Sequence, residues 1–205
     1  QAAISARNLT LSLGTREAPV DILRGIVLDI ALGSTPVIVL LTEVAESMFH
    51  AGDFKGAPRL VALTWGAEDL ADSIGAASNR NPDGSFAFTY ELARSLCLLG
   101  AATAGVPAIE TIQADFRDLD GLKARAETVR RSGFRGMLAI HPAQVEVINE
   151  AFTPSAEDIA EAEEIVAIFA ANPGAGTIGW KGGMLDRPHL SRAQQLLAQV
   201  GQGSD

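Results

Sequence analysis

The stretch "LVALTWGAEDLADSIG", residues 60–75, contains a complete change of local structure. Its apolar start is too short for a lone helix and ends at Gly66, after which Glu68 and Asp69 stand side by side where a helix should begin. That order predicts strand, turn and helix, the unit from which β/α folds are built. The two carboxylates have two readings. Together with Asp72 they would favour the helix dipole in its first turn by a few tenths to about 1 kcal/mol, or they hold a cation at the mouth of a site.

Working outward, "TPVIVLL" (35–41), "RLVALTW" (59–65), "VPAIETI" (106–112) and "GMLAI" (136–140) are strand candidates bounded by Gly, Pro or charge. Helical patterns separate them. Phe88–Ala104 places Leu92, Leu96 and Leu99 on one face, and Leu119–Ser132 carries Leu122, Ala126 and Val129. Continuously apolar strands alternating with helices indicate a parallel sheet covered by helices, hence an α/β fold as a barrel or an open sheet. Further on, Thr153 and Pro154 have the order of an N-cap and first helical residue, and Ile159, Ala162, Val166 and Phe169 form a stripe that "NPGAG" stops. A last helix is expected from about Pro188 to Val200, after a Gly-rich connection, "TIGWKGGMLDRPHL".

Composition narrows the function. The chain has 205 residues, 47% of them hydrophobic, and a mean hydropathy of +0.18, enough for one substantial core. With 16 Lys and Arg against 25 Asp and Glu, and no basic run to follow a phosphate backbone, nucleic acid is excluded as the expected partner. No apolar run is long enough to span a bilayer and no signal pattern opens the chain, so a soluble, cytoplasmic protein is expected. The only cysteine, Cys97, lies among apolar neighbours in "ELARSLCLLG" and reads as a buried core thiol rather than a nucleophile.

Position gives the carboxylates their interest. Glu43 directly follows "PVIVLLT" and Asp69 follows "LVALTWGAE", so both stand just past the C-terminal ends of predicted parallel strands, the edge where α/β folds place their sites. Two carboxylates from neighbouring strands, completed by waters and substrate oxygens, suit Mg²⁺.

Four motifs, "TWGAEDLADSIG", "DFRDLDGL", "GFRGMLAIHPAQVEVINEAFTPSAEDIAEAEEIV" and "GGMLDRPHL", occur in order from about Thr35 to the C-terminus. Together they resemble the citrate lyase β-subunit-like proteins, which include malyl-CoA and citramalyl-CoA lyases. The resemblance implies a (β/α)₈ TIM barrel at 1–151 with a helical C-terminal extension at 152–205, assembled as a homo-oligomer, the trimer being the expected form. It implies a Mg²⁺-dependent carbon–carbon lyase that cleaves or forms a 3-hydroxyacyl-CoA thioester, such as malyl-CoA or citramalyl-CoA, yielding acetyl-CoA and a 2-oxo acid. Glu43 and Asp69 fall on the family's metal-binding glutamate and aspartate. Asp186 falls on its acid/base aspartate, which reaches into the neighbouring subunit's barrel; taken alone, an Asp two residues before Pro188 reads as a helix N-cap. His141 and Pro142, at the end of "GMLAI", resemble part of the CoA-facing wall, although a His there is as often structural.

The implied chemistry requires these groups. Carbon–carbon cleavage removes a hydroxyl proton and leaves an enolate on the departing acyl-CoA, to which Asp186 would return a proton at carbon; a semi-closed pocket would raise that aspartate's proton affinity. The two glycines before Met184 would let the segment swing outward. Only about 35 residues precede "TPVIVLL", too few for the family's early barrel units, so either residues beyond this sequence complete the barrel or the barrel is incomplete; the first is expected, since an exposed parallel sheet edge is hard to keep soluble. "ARNLTLSLGTREAPVDILRGIVLD" stands as their remnant, with Arg7-Asn8 the one candidate for the family's substrate arginine motif, and the acidic "DLED"-like and "PK" runs are missing. Two alternatives therefore accompany the lyase: a CoA-independent, Mg²⁺-dependent 2-keto acid aldolase, and a non-catalytic barrel that binds CoA esters.

Overall fold

The structure is a computed structural model that describes residues 2–15, 18–31 and 35–202, with side-chain surroundings from 35 to 201. Its centre is a parallel sheet of β3 (Val37–Leu40), β4 (Leu60–Thr64), β5 (Ala108–Glu110) and β6 (Gly136–Met137), which lie side by side in chain order. Sequential order with helical crossovers is the repeating pattern of a β/α barrel. All four strands fall inside the runs expected from sequence. A short 3-10 helix (Ala45–His50) lies between β3 and β4, α1 (Ala67–Ser73) and α2 (Phe88–Ala104) between β4 and β5, α3 (Leu119–Ser132) between β5 and β6, and α4 (Pro142–Phe152) follows β6.

The core lies between the sheet and α2. Leu41, Leu63, Trp65 and Ala108 from the sheet side meet Tyr90, Ala93, Cys97 and Ala101 of α2. The face of α2 that packs is therefore its small-residue face, not the expected leucine stripe: Leu92 and Leu99 are 45% and 63% exposed. Small side chains let the helix approach so closely that a Cβ on Gly100 would lie 2.2 Å from the Ala51 carbonyl oxygen. In α3 the expected Leu122, Ala126 and Val129 are all buried.

The N-terminal strands pair with each other and stand apart from the parallel sheet. β1 (Ala2–Thr15) and β2 (Ala18–Ala31) pair antiparallel, from Ala2 opposite Ala31 to Thr15 opposite Ala18. Ending one strand at Thr15 and restarting at Ala18 leaves far fewer than the dozen or so residues that a parallel crossover requires. Arg7 and Asn8 lie on β1, and their side chains fall outside the described residues.

Two other expectations change in the C-terminal third. Thr153 is the C-cap of α4, not an N-cap; α5 (Ala156–Ala171) starts from Ser155, which forms a reciprocal capping box with Asp158. The Gly-rich connection is an ordered hairpin, β7 (Thr177–Trp180) and β8 (Gly183–Asp186), leading into α6 (Arg187–Gln202). Its turn places Lys181 at φ 45° and Gly182 at φ 79°, the left-handed pair that tight hairpins demand. Ala162, Ile165 and Phe169 of α5 pack with Leu185 and Ala193 in a separate cluster. No helix among the described residues is long and apolar enough to cross a membrane.

Candidate active site

Glu43 and Asp69 are brought to one edge by backbone contacts around them. The Thr42 hydroxyl accepts the Gly66 N–H at 2.6 Å and lies 2.8 Å from the Gly66 carbonyl oxygen, joining the turn after β3 to the turn after β4. Beyond Glu43, the Ala45 N–H donates to the Ser73 hydroxyl at the end of α1 at 2.9 Å. Glu43 is thus bracketed by two attachments to the β4–α1 unit while its own side chain is exposed.

Gly66 is the N-cap of α1, and Asp69, in the first turn, folds back over it. A Cβ placed on Gly66 would stand 2.6 Å from Asp69 Oδ2, so only glycine leaves the carboxylate this position. Glu68 turns elsewhere and accepts from Asn79 Nδ2 at 3.1 Å. The adjacent carboxylates of the opening stretch therefore separate: Glu68 ties down the following loop, and Asp69 lies against the strand end. Thr64 is buried just before them, its hydroxyl without a hydrogen-bond partner, on the strand face opposite Leu63 and Trp65.

This donor set suits a hard cation. Among the described residues no group of three or more His, Cys, Asp or Glu is gathered to hold a metal. Mg²⁺ needs only one or two carboxylates when waters and substrate oxygens complete its shell. The glycine cradle under Asp69 and the orphaned Thr64 hydroxyl both fit such a group.

Behind the edge lies a network the sequence reading missed. Glu110, at the end of β5, has no exposed surface. Its Oε1 accepts from Trp65 Nε1 at 2.9 Å, from an Arg125 guanidinium nitrogen at 3.2 Å and from the Thr111 N–H at 3.1 Å; its Oε2 accepts from Arg94 Nε at 2.6 Å. Burial lowers the proton affinity of Arg125, an effect the Glu110 charge opposes. The only sequence signal was a charged residue closing the apolar run "VPAIE".

His141 and Pro142 stand at the same edge, beyond β6. His141 is the N-cap of α4, its Nδ1 accepting from the Ala143 N–H at 3.2 Å, with Pro142 as the first helical residue. The imidazole also stacks on Phe116, with centroids 4.5 Å apart and planes 19° apart. Fully buried Gln144 accepts from the Ile140 N–H at 2.9 Å and donates to the Gln113 carbonyl at 3.0 Å, joining the loops above β5 and β6.

Asp186 closes β8 immediately before α6, and its Oδ1 accepts the His189 N–H at 3.3 Å, the geometry of an N-cap. Its carboxylate also contacts His189 Nδ1. In the single chain that hydrogen bond holds the Asp186 pKa below the usual carboxylate value. The swinging segment is corrected: Gly183 pairs with Trp180 in the hairpin, and Glu164 of α5 accepts from Trp180 Nε1 and Lys181 Nζ, each at 2.9 Å. The hydrogen bonds of Asp186 stay within α6 and do not reach Glu43 or Asp69.

A cavity of about 1010 Å³ opens at the opposite edge, where Val106 and Pro107 lead into β5, and is lined also by Phe152, Ile159 and Gln199. None of Glu43, Asp69, His141 or Asp186 lines it. In parallel α/β folds the reacting groups gather at the C-terminal strand ends, so the carboxylates, not this cavity, mark the candidate site.

Consecutive parallel strands with two carboxylates at their C-terminal edge define an α/β protein of the β/α-barrel class. Residues 7–142 match the model of the HpcH/HpaI aldolase/citrate lyase family, and the chain belongs to that family. A (3S)-malyl-CoA thioesterase of Cereibacter sphaeroides is 32% identical over 188 residues, 91% of this chain and 62% of that protein. The mitochondrial citramalyl-CoA lyase of Mus musculus is 37% identical over 142 residues, 67% of this chain and 40% of that protein. Among solved structures, protein CitE of Mycobacterium tuberculosis, in complex with magnesium, acetoacetate and coenzyme A, superposes with a TM-score of 0.68 at 30% identity, covering 81% of this chain and 60% of that one. The chain thus spans between 40% and 62% of the length of these proteins.

Proposed function

We propose that this chain belongs to a Mg²⁺-dependent carbon–carbon lyase acting on a 3-hydroxyacyl-CoA thioester, such as malyl-CoA or citramalyl-CoA, to give acetyl-CoA and glyoxylate or pyruvate. The observation that carries this reading is the Thr42–Gly66 contact, which sets Glu43 and Asp69 on adjoining turns at one strand edge. The relatives named for malyl-CoA and citramalyl-CoA, and a similar structure holding magnesium and coenzyme A, support the substrate class.

Glu43 and Asp69 would hold the cation, which when bound supplies Lewis-acid polarisation of the substrate's carboxylate and hydroxyl. Gly66 leaves room for Asp69 to take that position, and the Thr64 hydroxyl offers an uncommitted polar atom on the same strand end. Asp186, supplied by the C-terminal unit (152–205) of a neighbouring subunit, would hold the proton that the departing acyl-CoA carbon accepts, and in condensation would take it back. Leaving its own His189 for a more enclosed position would lift its proton affinity from the lowered value seen in the single chain. His141 and Pro142 would face the CoA moiety. The assembly proposed is a cytoplasmic homotrimer, since a shared site requires neighbouring copies.

Purified protein with Mg²⁺ should release glyoxylate from malyl-CoA or pyruvate from citramalyl-CoA, and Asp69→Asn should abolish release while remaining folded. Turnover of CoA-free keto acid aldols alone would instead establish the aldolase reading.

A further inference from the structure

We propose that Glu110 is a positioning residue for Asp69: through the Trp65 indole it fixes the end of β4, and with it the spacing of the Glu43–Asp69 pair. This rests on the metal-binding reading of that pair given above. Glu110 gathers donors from three elements onto one buried carboxylate: Trp65 following β4, Arg94 on α2 and Arg125 on α3. Arg125 also donates to the Ile112 carbonyl at 3.0 Å, and Arg94 lies 3.7 Å from Glu91, so both guanidiniums are held from a second direction.

Burying such a network carries a desolvation cost that apolar packing would avoid, so its stability contribution alone does not account for it. What it supplies is direction. Charge-assisted hydrogen bonds to the two sides of a carboxylate fix its plane, and the plane fixes the indole N–H. The residue after Trp65 is Gly66, whose N–H and carbonyl both meet the Thr42 hydroxyl and where Asp69 Oδ2 lies against the position a Cβ would take. Releasing the indole lets the end of β4 shift, and a shift there passes through Gly66 to the contact beside Glu43 and to the cradle of Asp69. Partners behind metal ligands commonly change affinity by about 10- to 100-fold when removed.

The test uses a Trp180→Phe background, in which Trp65 is the sole tryptophan of the original 2, and reads Mg²⁺ binding by calorimetry and by Trp65 emission. In that parent, Mg²⁺ should bind and shift the emission, and Asp69→Asn should abolish both signals. Glu110→Gln, checked for folding by circular dichroism, should bind Mg²⁺ about tenfold more weakly and lose the emission shift. Trp65→Phe removes the indole N–H together with the five-membered part of the ring and leaves the arginine pairs intact; checked for folding in the same way, it should show a similar loss by calorimetry. If both folded variants bind Mg²⁺ as tightly as the parent while Asp69→Asn does not, the positioning role is overturned and the metal reading stands. If the parent itself binds no Mg²⁺, the metal reading falls and the positioning role falls with it.

Discussion

The Thr42 hydroxyl and the Gly66 peptide groups meet at 2.6 and 2.8 Å, so two strand-end turns separated by 24 residues are held as one unit. Thr42 has no exposed surface, so replacing its hydroxyl by a methyl group leaves the Gly66 N–H without its partner in the interior. Thr42→Val should therefore lower stability by about 1–3 kcal/mol, measured by urea unfolding. Thr42→Ser keeps the oxygen and should restore most of the loss. Mg²⁺ affinity should follow the same order; equal affinity in all three proteins would detach the contact from the site.

The dual geometry of Asp186 can be separated by substitution. Asparagine caps a helix about as well as aspartate but cannot exchange the proton, so Asp186→Asn should remain folded and lose roughly 10²- to 10⁴-fold in turnover. Mixing it with Asp69→Asn subunits should recover activity, because a hybrid unites one intact metal site with one intact aspartate. Hybrids that assemble yet stay inactive would assign Asp186 to its own chain.

His141 invites a similar separation. His141→Ala loses both the α4 cap and the Phe116 stack, and should cost about 1 kcal/mol in thermal or urea unfolding. His141→Asn should keep most of the cap. A raised KM for the CoA thioester in both variants would show contact with the ligand, whereas a KM that follows stability alone would leave His141 purely structural.

Acid should loosen the C-terminal unit through two carboxylates. The Ser155 backbone N–H, aided by Arg130, lowers the Asp158 pKa, and His189 lowers that of Asp186. Unfolded aspartates titrate near about 3.9, so below that pH the unfolded chain binds more protons than the native one. The stabilisation is present above that value and is lost as pH falls through the folded pKa values. Urea midpoints measured from about pH 5 downward should fall, and Asp158→Asn should flatten the slope; an unchanged slope would remove Asp158 from the effect.

Cys97 should be silent in the native protein. Burial pushes its thiol up to about 12, with the nearby Glu110 charge adding to the effect, and it has no exposed surface. A thiol reagent at about pH 8 should label it only on unfolding, since the thiolate is the reactive form. Rapid labelling of folded protein would contradict its place in the core.

The local order of elements was legible in the chain of residues alone. The four parallel strands, α2 and α3 were legible because short apolar runs and 3.6-residue periodicity are properties of neighbouring residues. Glu43 and Asp69 could be placed past strand ends for the same reason. The antiparallel pairing of β1 with β2 was not legible, because apolar runs do not state which strand they will pair with. Long-range packing sets Asp69 over Gly66 while Glu68 turns to Asn79, and has α2 pack through its small residues. It also decided the partners of Glu110, which lie 45, 16 and 15 positions away. Periodicity records which face of an element is apolar, but a buried polar group takes whichever partner the packing of distant elements brings within hydrogen-bond reach.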